Sequence, residues 1–413
     1  MTKPKPSGHW RASDLRGVAQ LATQATTAVA HIAEGVHQSV WGAMGVPGGK
    51  QAGQTRGLTR LVYQSVRGIA QLVGNGLETL LTRLAPVLEM ADEAAPGSPQ
   101  REAVLAALNG VMGDRLRASA NPLATPMTLR YQGRALDWKA LPAMPEAGGK
   151  LLLLIHGLCM NELQWPAHGH AEALAALGYT PVYLRYNSGL HVSQNGHELA
   201  AQLEQLLTHW PVPLQEITVL GHSMGGLLIR SAWHYARQAE LRWPDVLKHI
   251  VFLGTPHHGA PLERAGNWVD VILGSTPYSV PFTRLAQLRS AGVTDLRYGH
   301  VLDADWQGHE RFRRQPDSRA PLPLPAGVAC YAVAATTAAK RSLLADRLLG
   351  DGLVPLHSAL GQHDDARRTL VFAKSAQLIV YRTGHIALLG SAEVTRQLVQ
   401  WLSSGPEVLS SRT

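Results

Sequence analysis

Through the first ninety residues apolar side chains recur every three or four positions. Val18, Leu21, Ala25, Val29, Ile32, Val36 and Val40 make one run; Leu61 to Leu88 makes a second. That period lays an apolar stripe along a helix. The Gly- and Pro-bearing stretch 45–57 parts the two runs, which predicts a helical hairpin over residues 1–95. A shorter helix is predicted over 101–116. Around Gly133, the alternating segments 127–131 and 134–138 read as a β-hairpin.

From Lys150 onward the pattern changes. Short, largely apolar runs at 150–155, 180–186, 217–221, 249–253, 328–334 and 376–381 read as strands buried on both faces. Between them lie helical periods at 167–177, 196–209, 224–238 and 391–402. Alternation of this kind predicts an α/β fold, a mostly parallel sheet with helices on both faces. The organisation expected is a hairpin segment (1–95), a linker with a short helix and a leading β-hairpin (96–149), and an α/β domain (150–413). Residues 260–325 break the alternation and are expected to form a lid.

Composition narrows the classes. Hydrophobic residues are 45% and charged residues 16% of 413, so the chain has material for a large core and lacks the charge density of a disordered protein. The formal net charge is +8, but Lys and Arg form no dense cluster interleaved with aromatics, so nucleic-acid binding is not expected. Gln, Thr and His interrupt every apolar stretch near the N-terminus, and no run reaches membrane-spanning length; a cytoplasmic protein is the expectation. Cys159 and Cys330 lie in or beside apolar runs and read as buried thiols. The stripe of the N-terminal hairpin is expected to pack in protein, by self-association among other ways, or to lie at a lipid interface.

Chemistry concentrates at the ends of the predicted strands, where ligands of such sheets sit. The run Ile217–Leu220 stops at Gly221-His222-Ser223-Met224-Gly225-Gly226 and a helix follows. A serine at that strand-to-helix turn sits in a strained conformation, flanked by glycines that remove clashing Cβ atoms, with its hydroxyl expected at solvent. Serine needs a base, and the base needs a carboxylate to orient it. His385, after the last strand and behind Gly384, is the expected base. Asp351, in the tight turn Gly350-Asp351-Gly352, is the expected acid, ahead of Asp303, Asp305, Asp346 and Asp364. The backbone N–H groups of Leu158 and Met224 are the expected oxyanion donors. His156 and His222 flank these motifs and read as structural. His257 and His258 have no acidic partner at ligand spacing, so no metal or other cofactor is expected.

Together Ile155-His156-Gly157-Leu158, the Ser223 motif, Leu253-Gly254-Thr255-Pro256-His257-His258-Gly259, Gly350 to Pro355 and Gly384-His385 resemble the lipase and esterase branch of the α/β-hydrolases. The likeness is greatest to bacterial triacylglycerol-lipase-like and GPI inositol-deacylase-like proteins, over about residues 150–402. It implies hydrolysis of an apolar or lipid-like carboxylic ester through an acyl-enzyme on Ser223. A thioesterase, amidase or polyester depolymerase would use the same residues. A non-catalytic scaffold at a lipid or granule surface is the reading from another class.

Overall fold

The computed structural model describes Ser13, Asp14, Arg16, Gly17 and Gln20, and residues 99–138, 146–166, 168–260, 289–309, 317–339 and 350–403. The hairpin expected over 1–95 lies almost wholly outside the described residues, as does the 261–288 part of the expected lid.

The chain divides into two compact units: Met1–Arg101 with Leu116–Ala124, and Glu102–Arg115 with Thr125–Thr413. In the first, Arg101 pairs with buried Asp14 at 2.6 Å, and Asn121 donates to the Gly17 carbonyl at 3.0 Å.

The second unit is built on one sheet of eight strands: β1 (Thr128–Tyr131), β2 (Arg134–Ala135), β3 (Lys150–Ile155), β4 (Tyr179–Arg185), β5 (Glu216–His222), β6 (Leu247–Leu253), β7 (Ala329–Thr336) and β8 (Gln377–Tyr381). Their order is β2-β1-β4-β3-β5-β6-β7-β8. The β1–β2 and β1–β4 pairs are antiparallel, and every pair from β4 to β8 is parallel. β3 and β5 hold the middle, and Ile155 stands in register with Gly221.

Successive strand residues feed opposite cores, as the period of two requires. Leu151, Leu153, Val219, Ile250 and Phe252 pack on one face with α3 (Val192–His209) and α4 (Met224–Gln238); Leu152, Leu154, Leu220, Val251 and Leu253 pack on the other with α2 (His170–Ala175) and α6 (Ala392–Ser403). All ten of these strand residues are fully buried. Truncating one of the leucines to Ala leaves a cavity and costs about 2–5 kcal/mol.

Two elements extend the sequence reading. The α1 helix (Pro99–Ala118) sends its 102–115 segment into the second unit. A Cβ on Gly110 would stand 2.2 Å from Cys159 Sγ, and one on Gly113 1.8 Å from Asn187 Oδ1, so helix backbone lies directly against both loops. The α5 helix (Ala291–Tyr298) lies within the stretch expected to form a lid, yet Ala291, Val293 and Leu296 are core residues. Its ends carry ordinary signals: the Ser290 side chain caps Val293 N–H, and Gly299 closes it at φ 69°.

Candidate active site

β5 ends at His222, and Ser223 turns the chain into α4 with φ 54° and ψ −122°, a left-handed backbone that costs a non-glycine residue energy. The surroundings hold it there. Ser223 N–H donates to the Leu253 carbonyl at 2.8 Å, and Gly226 N–H donates to the Ser223 carbonyl at 3.0 Å. A Cβ on Gly225 would stand 2.5 Å from the Ile155 carbonyl oxygen, so the turn needs glycine in order to lie against β3. The hydroxyl is not at solvent as expected: Ser223 is only 2% exposed. The loop after β3 lies against it, with the Gly157 Cβ position 3.0 Å from Ser223 Cβ.

Asp351 and His385 meet. Asp351 Oδ2 accepts a hydrogen bond from His385 Nδ1–H at 2.7 Å, and both side chains are essentially inaccessible. The other carboxylate oxygen accepts from the N–H groups of Leu353 (3.0 Å) and Val354 (2.7 Å), and Gly350 and Gly352 supply the left-handed turns, φ 46° and 93°, on either side. His385 N–H also donates to the Asp351 carbonyl at 3.0 Å. Because a carboxylate only accepts, Nδ1 carries the proton, and the lone pair of the neutral ring is on Nε2. Among the described residues His385 Nε2 and Ser223 Oγ are both buried and have no hydrogen-bond partner. The structure therefore joins acid to histidine and makes no Ser223–His385 hydrogen bond; such bonds are often long before substrate arrives.

Two contacts bring the serine and histidine segments together. His222 Nε2–H donates to the His385 carbonyl at 3.1 Å. Gly254 (φ 57°) directly follows the residue whose carbonyl binds Ser223 N–H, and its Cβ position is 3.2 Å from both Asp351 Oδ2 and His385 Nδ1. Leu158 and Met224 are buried on the two sides of the serine turn, and among the described residues neither N–H donates to a backbone carbonyl.

Burial holds His156, His222 and His257 below the ordinary histidine value. His156, stacked on Tyr186 with ring centroids 4.4 Å apart, is lowered to about 4. His222 lies well below the ordinary histidine value through burial and then through the neighbouring His385. His257 is likewise held well below that value, by burial and then by Arg230. Among the described residues no three His, Cys, Asp or Glu side chains are grouped to hold a metal ion. Of the rival carboxylates, Asp303 pairs with His197 at 3.0 Å and Asp305 accepts from Val301 and Leu302 N–H; Asp346 lies outside the described residues.

Comparison with known proteins adds one decisive match. Residues 146–316, less than half of the chain, match the family described as PGAP1-like alpha/beta domain. The domain has the α/β-hydrolase fold. Among solved structures the chain is similar to a Bacillus licheniformis lipase, BlEst2, in its mature form (16% identity, TM-score 0.41, covering 67% of this chain and 98% of that one). It is similar also to Aspergillus fumigatus lipase B (14%, 0.40, covering 67% and 59%) and to YbtT, a type II thioesterase from the yersiniabactin biosynthetic pathway (13%, 0.38, covering 64% and 95%). No curated protein matches the chain.

The family match begins ahead of β3 and ends before β7, so it takes in the Ser223 turn but neither Asp351 nor His385. Sequence reasoning took His222 as a structural neighbour of the serine and missed its bond to His385. Nothing local announces a contact across 163 positions. Among the described residues no helix is long and apolar enough to cross a membrane.

Proposed function

We propose that this α/β-hydrolase cleaves carboxylic esters through an acyl-enzyme, with Ser223 as nucleophile, His385 as base and Asp351 as the carboxylate that orients it. The observation that carries the reading is the 2.7 Å Asp351–His385 hydrogen bond, which leaves an unpartnered His385 Nε2 in the same domain as an unpartnered serine hydroxyl at the end of β5. As Ser223 Oγ attacks the acyl carbon, His385 Nε2 takes its proton, and Asp351 stabilises the resulting imidazolium. The oxyanion develops against the N–H groups of Leu158 and Met224, which need no reorganisation because the β3 loop and the first turn of α4 hold them. His385 then returns the proton to the departing alkoxide. Water, deprotonated by the same nitrogen, attacks the acyl-enzyme, and the acid leaves as His385 returns that proton to Ser223 Oγ.

The substrate is proposed to be an apolar or lipid-like ester, as the resemblance of the sequence motifs to lipases and esterases implies. Activity is measured on p-nitrophenyl esters of rising chain length, beside thioester and amide analogues, with and without a lipid interface. Ser223→Ala is expected to abolish both hydrolysis and labelling by a fluorophosphonate. Undiminished labelling in that variant overturns the assignment.

A further inference from the structure

We propose that His222 is a positioning residue for His385, tying the loop of the base to the strand that carries the nucleophile. The proposal rests on the roles given above to Ser223 and His385, and it assigns a task to a histidine that those roles leave idle.

Three hydrogen bonds hold His385. Two of them, from Nδ1 and from the backbone N–H, go to Asp351 at 2.7 and 3.0 Å. They fix the base to the acid, and neither reaches the strand that carries the serine. The third runs from His222 Nε2–H to the His385 carbonyl at 3.1 Å. Among the described residues it is the one hydrogen bond between β5 and the chain from Arg382 to Ile386. Since His222 immediately precedes Ser223, this bond sets the base relative to the nucleophile.

The ring is shaped for that task. A carbonyl oxygen only accepts, so Nε2 bears the hydrogen. His222 is fully buried, and its Nδ1 has no partner. That nitrogen lies 3.2 Å from the Cβ position of Gly157, so the ring is wedged between the β3 loop and the base, with the ring centroid of Trp165 6.5 Å from its own. Ring centroids of His222 and His385 are 4.7 Å apart. A charged His222 at that distance would oppose the imidazolium that forms on His385, whereas the neutral ring offers a donor without a net charge.

Two substitutions separate the hydrogen bond from the packing. His222→Phe keeps a ring of similar shape and removes the donor; His222→Gln keeps an amide N–H at about the same reach and removes the ring. Rates are expressed per fluorophosphonate-labelled site, with Ser223→Ala as the companion. His222→Phe is expected to lower kcat by about 10²-fold, the scale on which a small misplacement of a reacting group acts. KM is expected to stay within about twofold, because the lost interaction acts on the reacting groups rather than on substrate binding. His222→Gln is expected to recover at least about tenfold of the loss. Wild-type kcat per labelled site in His222→Phe overturns the proposal, as does His222→Gln falling as far as His222→Phe. Where His222→Phe does not fold, His222→Asn, whose amide stops short of the carbonyl, replaces it with the same expectations. Persistent labelling of Ser223→Ala overturns instead the parent reading of the nucleophile.

Discussion

Among the described residues two buried aspartates, Asp351 and Asp295, each bond a histidine with similar local geometry, and the proposal gives the two pairs different tasks. Asp351 bonds His385 at 2.7 Å, and Asp295 bonds His191 at 3.0 Å. Both carboxylates are inaccessible to solvent, and each also accepts from backbone N–H. The difference lies on the far side of each ring. His385 is 1% exposed, with a buried Nε2 that has no partner, and it follows β8 at the carboxyl edge of the sheet. His191 is 14% exposed and lies flat on Trp306, with ring centroids 3.7 Å apart. A second histidine, His300, approaches Asp295 at 3.3 Å. Burial pushes Asp295 upward, but its hydrogen bonds from His191 and His300 outweigh that and hold it below the usual aspartate value. The pair at 295 is a clamp between the start of α3 and the end of α5. An Asp–His hydrogen bond therefore does not by itself mark a base.

The sharpest way to break this comparison is to remove each carboxylate in turn. Asp351→Asn is expected to lower kcat by about 10⁴-fold, since an amide in that place favours the wrong tautomer of its histidine. Asp295→Asn is expected to leave kcat near wild type and to cost about 3 kcal/mol in urea unfolding, because it takes one partner from a buried charged cluster. A collapse of kcat in the second variant would erase the distinction. Next in size is Gly254→Ala, whose new methyl would stand 3.2 Å from both Asp351 Oδ2 and His385 Nδ1 at a residue with φ 57°. About 10²-fold is expected to be lost in kcat, for displacement of the pair by a fraction of an ångström.

The smallest effect concerns pH. His156 is held at about 4 when folded against 6.5 when free, so the unfolded chain binds the extra proton between those values. Stability from this group is complete above pH 6.5 and is lost as pH falls toward 4. At pH 5.5 the loss is about 1 kcal/mol. His156→Phe, which keeps an aromatic ring against Tyr186, is expected to flatten that slope in urea melts taken from pH 7.5 to 5; an unchanged slope would assign the proton elsewhere.

The strands were legible because each is a short apolar run ended by glycine or a polar motif. β3 spans Lys150–Ile155 as predicted, and α4 spans Met224–Gln238. The turn at Ser223 and the meeting of Asp351 with His385 were legible because each residue stands at a strand end or beside a glycine. The α5 helix was hidden by a stretch that breaks the α/β alternation, although Ser290 and Gly299 marked its limits. The Asp295 cluster was illegible for a different reason: His191 and Asp295 are 104 positions apart, and neither lies in a motif. Burial of the Ser223 hydroxyl likewise depends on how the chain after β3 folds back, which no local pattern encodes.

The approach of α1 to the loops at Cys159 and Asn187 bears on inheritance. Gly110 and Gly113 admit those loops at distances where any side chain would collide, so helix and loops must change together or not at all. A recombination joint placed just ahead of β3, where the family match starts, would pass on the serine turn but leave a trench beside the loop that supplies Leu158. A transferred segment that keeps this loop's packing has to carry the 102–115 part of α1 with it.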